Sequence, residues 1–264
     1  KLQGRSGAYQ CGRADPGIFK IRNGPIVKTK IISILTRKAL FLFICLSGIF
    51  GMAGAQKKAV IKIQHADFYK PEPALKRNKL IGNVKLTQNN MVMSCDSLYQ
   101  YSDSNYVEAF GHVHAIQNDS LHLWGDYMIY DGNSQLAKVR KHVVMQDPTI
   151  TLTTDFLDYD AQDRIGYYFN SGMLKDSINT LISDMGYYYT TTHDMFFKDS
   201  VKVYTPDYTM HSDTLIYNTD SKIIRIIGPT TIYGDNRTLY SENGWYNTLS
   251  SHAELYKNNV LTYN

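Results

Sequence analysis

The chain has 264 residues, with 28 Lys or Arg against 24 Asp or Glu and a formal net charge of +4. Nine of those bases and one acid fall in residues 1–56, which leaves 19 bases against 23 acids in the rest, and no Lys/Arg cluster with interleaved aromatics; nucleic acid is excluded as the expected partner. Of three cysteines only Cys95 lies beyond residue 56, so a disulfide framework is excluded there as well.

Residues 1–29 show no periodicity and receive no assignment. Residues 30–56 read as a secretory signal peptide: Lys28, Lys30, Arg37 and Lys38 precede the apolar run Ala39–Leu46, and Ala53-Gly54-Ala55 supplies small residues for cleavage near Ala55 or Gln56. A membrane anchor is the alternative, but Ser47, Gly48, Gly51 and Gly54 dilute the run below the roughly 20 apolar residues that a span requires. Cys45 sits inside the run rather than after a small-residue lipidation site. Residues 57–79 are expected to cap a repeat array, because Asp67 begins a partial copy whose first strand contains Pro71 and Pro73.

Residues 80–264 carry the repeats. A small residue, an acid, an apolar residue two on and a tyrosine four on recur around Asp96, Asp126, Asp155, Asp184, Asp213 and Glu242, the acids being 29 or 30 residues apart. The tyrosine is missing only in the first copy; elsewhere it is Tyr130, Tyr159, Tyr188, Tyr217 and Tyr246. Three residues before each acid stands Met93, Leu123, Leu152, Leu181, Met210 or Leu239, and two after it Leu98, Met128, Leu157 or Leu215; Gly186 and Gly244 take that second place in two copies. These ten apolar residues are the expected inward rungs and the candidate lipid-facing set. Nineteen residues after each acid another apolar residue, from Ala115 to Leu261, is expected to join them.

Each unit reads as two strand-like segments separated by turn clusters such as Asp131-Gly132-Asn133 and Asp147-Pro148, with period-two alternation and Tyr, Thr, Val and Ile prominent. The domain is predicted to be all-β. The alternation changes phase at the acid, which predicts a corner or bulge, with the carboxylate accepting backbone N–H groups. A cation ladder is the alternative, and acids stacked at about 4.8 Å would need solvation or bridging. Six rungs at that spacing would span on the order of 29 Å. The chain stops at Asn264 at an offset where other repeats turn, so further repeats or a barrel are expected to follow.

No catalytic motif emerges: G-x-S-x-G, a P-loop and H-E-x-x-H are absent from the sequence. His112, His114 and His142 are weighed as a metal site and read as surface polar residues; no metal and no cofactor are expected. The tyrosines four after the acids form a candidate ladder, either packed across strands or touching a glycan or lipid headgroup; Trp124 and Trp245 share that ambiguity.

The leader, Gly82-Asn83-Val84 and Gly111-His112-Val113, and the apolar-x-small-Asp step followed by Tyr together resemble the OstA-like periplasmic domain of lipopolysaccharide-transport bridge proteins, over residues 80–264. That resemblance implies an open, repeat-built β-jellyroll whose apolar interior holds acyl chains of lipopolysaccharide or a related lipid. It also implies edge strands that join other OstA-like β-domains, a periplasmic location and no enzymatic activity. A parallel β-helix acting on polysaccharide and a purely structural envelope module are the competing readings. A groove open along the stack would favour the first reading, a closed coil the second.

Overall fold

The computed structural model describes residues 19–21 and 59–263, all within a single unit; the expected signal peptide lies outside the described residues. Among the described residues, strands and two 3₁₀ turns are the regular elements, and no helix is long and apolar enough to cross a membrane. The strands form one 21-stranded sheet. Its pairings are antiparallel except that Phe19–Ile21 runs parallel to Ala253–Leu255. This antiparallel order replaces the parallel β-helix alternative: each unit turns back through a short loop instead of coiling onward in one direction.

The alternation of the sequence explains both the strands and their bend. In Met91–Tyr101 the side chains of Met91, Met93 and Cys95 point inward, and after Asp96 the next inward residue is Leu98. The neighbouring strand Arg77–Gln88 shifts at the same level, from Leu80 to Val84, through Gly82 and Asn83 at φ 79° and 46°. Two residues there face one across the ladder, which is a bulge. It recurs at Gly111-His112 against Asp96 and Asp126, at Lys141-His142 against Asp126 and Asp155, and at Asp199-Ser200 against Asp213.

The long strands therefore bend near their middle, and in later repeats the same bend separates two shorter strands, such as Ile165–Tyr168 and Gly172–Lys175, so that each pass of the chain contributes half to each of two facing layers. The result is an all-β, repeat-built jellyroll with its core between the layers. Because a 29-residue unit supplies two antiparallel strands, it advances the stack by about 9.6 Å, not one strand spacing. This corrects the expected 29 Å span and the expected 4.8 Å separation of the acids. Successive acids sit two strands apart, with the bulge of the returning strand between them.

Phe68–Glu72 pairs with Arg77–Gln88 on one side, and Pro71 stands on this edge strand, where a missing N–H leaves no ladder bond unmade.

Candidate functional site: the apolar interior and its seam

Register brings the ten predicted interior residues into two rows. In one layer, cross-strand pairs run without interruption from Leu86 through Met93, Ala115, Leu123, Met145, Leu152, Leu174, Leu181, Val203, Met210, Ile232 and Leu239 to Leu261. In the other they run from Leu80 through Leu98, Ala109, Met128, Val139, Leu157, Tyr168, Gly186, Phe197, Leu215, Ile226 and Gly244 to Leu255. Met93, Leu98, Leu123, Met128, Leu152, Leu157, Leu181, Met210, Leu215 and Leu239 are all buried, none more than 4% exposed. Each such side chain stabilises the fold by about 1.5–3 kcal/mol.

The two glycines in the second row do not interrupt it. A Cβ at Gly186 would lie 2.6 Å from the ring of Tyr168, which is fully buried and hydrogen-bonded to Ser183 at 2.6 Å. Tyr168 fills the space that the glycine leaves. Sequence reasoning missed it because it falls outside the acid-centred motif.

The corner acids lie outside this core and differ in their partners. Asp67 accepts from Asn83 Nδ2 at 2.9 Å, Asp96 meets His112 Nδ1 at 2.7 Å, and Asp126 meets His142 Nδ1 at 2.8 Å, each partner sixteen residues on at the next bulge. Among the described residues, Asp155 alone of these acids shows the expected backbone contact, accepting the His142 N–H at 3.1 Å. Asp213 accepts from the Thr214 hydroxyl at 2.8 Å, and among the described residues no side-chain partner is seen for Asp184. Glu242 pairs with Lys257 at 2.8 Å, a contact that pulls its carboxyl down to about 2. The expectation of backbone capping is thus corrected: the bulge turns a side chain, more often than an N–H, toward the acid.

These contacts also separate the histidines considered as a metal site. His112 and His142 each serve their own acid, while His114 stacks on Trp124 with ring centroids 4.6 Å apart and meets His122 at 3.1 Å. Among the described residues no three His, Cys, Asp or Glu side chains come together as metal ligands. Cys95 is buried, and desolvation raises its thiol to about 12, which leaves it protonated and unreactive.

Opposite the corners, the two layers meet along a seam built by the motif tyrosines. Tyr188 donates to Asp147 and Tyr217 to Asp176, each 41 residues back in the chain; Tyr130 donates to Gln88, 42 back. Asp147 and Asp176 use one carboxylate oxygen to hold their own turn, through the N–H of Ile150 and of Asn179, which leaves the other for the tyrosine. Burial and the facing carboxylates push the Tyr188 and Tyr217 phenols well above their ordinary range. These are cross-layer bonds, so the tyrosines pack into the core instead of presenting a ladder to solvent. The 29-residue spacing shared by Asp147 and Asp176 and by Tyr188 and Tyr217 was the one sequence signal for this seam.

A profile of the family described as OstA-like protein matches residues 57–213. The chain belongs to that family. The match begins earlier than the motif resemblance does and ends at the fifth motif acid, Asp213. No curated protein matches the chain. Among solved structures, it is similar to LptH, the LptA homologous periplasmic component of the conserved lipopolysaccharide transport device from Pseudomonas aeruginosa. Identity is 14%, with 51% of this chain and 79% of that chain covered and a TM-score of 0.24. The OstA-like region contains the corner motifs from Asp67 to Asp184 and the seam pairs of Tyr130 and Tyr188, so the geometry described above is that of its repeats.

Proposed function

We propose that this OstA-like chain is a non-enzymatic bridge or carrier for lipopolysaccharide or a related lipid in the periplasm, and that its paired apolar rows hold the acyl chains. The observation that carries this reading is the continuity of the two rows, from Leu86 to Leu261 and from Leu80 to Leu255, in a member of this family. Met93, Met128, Met145 and Met210 supply unbranched, adaptable contacts along them. No cofactor or metal is assigned a role. The protein is exported by the segment 30–56, and N-terminal sequencing of envelope-purified protein should find a start near Ala55 or Gln56. An uncleaved apolar segment in the membrane fraction would refute that.

Assembly with other OstA-like β-domains occurs through end strands, whose unpaired backbone groups are templates for strand addition. Phe19–Ile21 pairs with Ala253–Leu255 at one end, so cleavage near residue 55 would remove this pairing and free that edge.

A second reading, a purely structural module, draws support from how well the interior is filled: Tyr168 occupies the glycine rung, and the cavity beside Met93 and Met128 measures only about 30 Å³. Photo-crosslinking from Leu152, Leu181 and Met210 to lipopolysaccharide decides between them. Crosslinks from these sites, lost when a charge is placed at Leu152 or Leu181 and kept when one is changed at the outward Lys202, are the expected result. Failure from all three in folded protein would leave the structural reading.

A further inference from the structure

We infer that the acylated ligand enters sideways through the seam at Tyr159, whose hydroxyl donates a hydrogen bond to the ester or amide carbonyl of the acyl chain. This rests on the interior-binding reading above and adds the place of entry and the polar group that meets the ligand. Where Tyr130, Tyr188 and Tyr217 each bond across the seam, the hydroxyls of Tyr159 and Tyr246 are both buried with no hydrogen-bond partner among the described residues, and Tyr159 also lines a cavity. Thr190 and Arg164 lie near the Tyr159 hydroxyl and neither reaches hydrogen-bond geometry.

The gap follows from the sequence. Counting the same 41 residues back from Tyr159 reaches Asn118, where the other rungs have Asp147 and Asp176. The Asn118 side-chain oxygen accepts from Asn90 Nδ2 at 3.1 Å. Asn118 and Asp119 both adopt left-handed φ, 51° and 56°, and the position that heads this turn is an amide, where the other two rungs have a carboxylate.

Tyr159 is also one of the residues that line the 30 Å³ cavity, with Met91, Met93, Leu121 and Met128, and with Gln117 as its one amide. Its wall is almost wholly apolar, so an ionised group would be left unpaired there, whereas a hydrocarbon chain would not. The volume admits about one water-sized group. A chain therefore enters by displacing the three methionine side chains, which are unbranched and able to repack. A buried donor without an acceptor is unfavourable, and a carbonyl at the head of the acyl chain supplies the acceptor.

The test irradiates the full chain with a diazirine-bearing palmitoyl methyl ester in detergent micelles and maps the labelled peptides. Labelling should concentrate on the segments carrying Met91, Met93, Leu121 and Met128, and fall at least fivefold in Tyr159→Phe. Asn118→Asp should let Tyr159 bond as Tyr188 does to Asp147, raising the unfolding temperature and lowering the labelling by a similar factor. Labelling confined to Leu181 and Met210, or spread evenly along the stack, would overturn side entry and leave interior binding standing. No labelling of folded protein would overturn both. Unchanged labelling in Tyr159→Phe would overturn the role given to the hydroxyl, and unchanged labelling in a stabilised Asn118→Asp would overturn entry through the seam.

Discussion

Asp176 has no exposed side-chain surface and is held by Lys222 Nζ at 2.7 Å, by the Tyr217 hydroxyl and by the N–H groups of Ile178 and Asn179. Burial by itself would raise its pKa, but these donors outweigh burial and leave it below the ordinary carboxylate range. A depressed folded-state pKa means that the stabilisation is fully present above the unfolded value of about 3.9 and is lost as pH falls through the lower folded value. Asp176→Asn leaves Lys222 without its charge partner and is expected to cost about 3 kcal/mol at neutral pH. In urea titrations its deficit relative to the native chain should shrink below pH 4; a deficit independent of pH would assign the loss to packing. Tyr188→Phe removes only the seam hydroxyl and strands Asp147, with an expected cost of about 1–2 kcal/mol. The corner acids matter less because they are exposed: Asp155→Ala should cost about 1 kcal/mol, and Asp184→Ala, with no side-chain bond to lose, less than about 0.5 kcal/mol. Equal losses at the two would show that the corner needs the charge itself.

At the level of the strand, the bulge decides how each unit bends. Gly111 has φ 72°, and a Cβ there would overlap the Asp96 carboxylate, just as one at Gly82, φ 79°, would overlap Asp67. That double constraint is the physical content of the Gly-x-Val motif. Gly111→Ala should destabilise by about 1–2 kcal/mol through strain and overlap together. The overlap part should disappear in an Asp96→Ala background, so the double variant should lose less than the sum of the singles in thermal unfolding. Strict additivity would assign the whole effect to backbone strain. The period-two pattern and its phase change made this bend legible in the sequence. The sequence was silent on which group meets the acid, because a bulge with two left-handed residues rotates His112 or His142 outward and toward the preceding acid, an orientation that spacing alone does not encode.

Across the whole molecule, neighbours along the stack supply the contacts, as expected of a repeat array. Deleting residues 122–150, one unit of two strands, rejoins equivalent positions and keeps the strand directions. The product should remain β-rich by circular dichroism, with a shorter long dimension in small-angle scattering and a lower unfolding free energy. Removing a single strand of half that length would reverse the direction of every later strand and should abolish the cooperative transition. If the half-unit deletion folded as well as the full one, the two-strand unit would be wrong.

By itself the sequence determined the all-β class, the 29-residue unit, the corner at each acid and the ten inward residues, because burial on one face of a strand writes a period-two pattern that any register must respect. Tertiary structure decided that units stack as antiparallel pairs, since two strands of equal length read alike whether the chain coils onward or turns back. It decided that Tyr168 fills the space beside Gly186, since a void in one strand is filled from its neighbour. It also decided the seam. Tyr188 and Asp147 are 41 residues apart, and they meet only because the strands bend at the corners and fold one layer over the other.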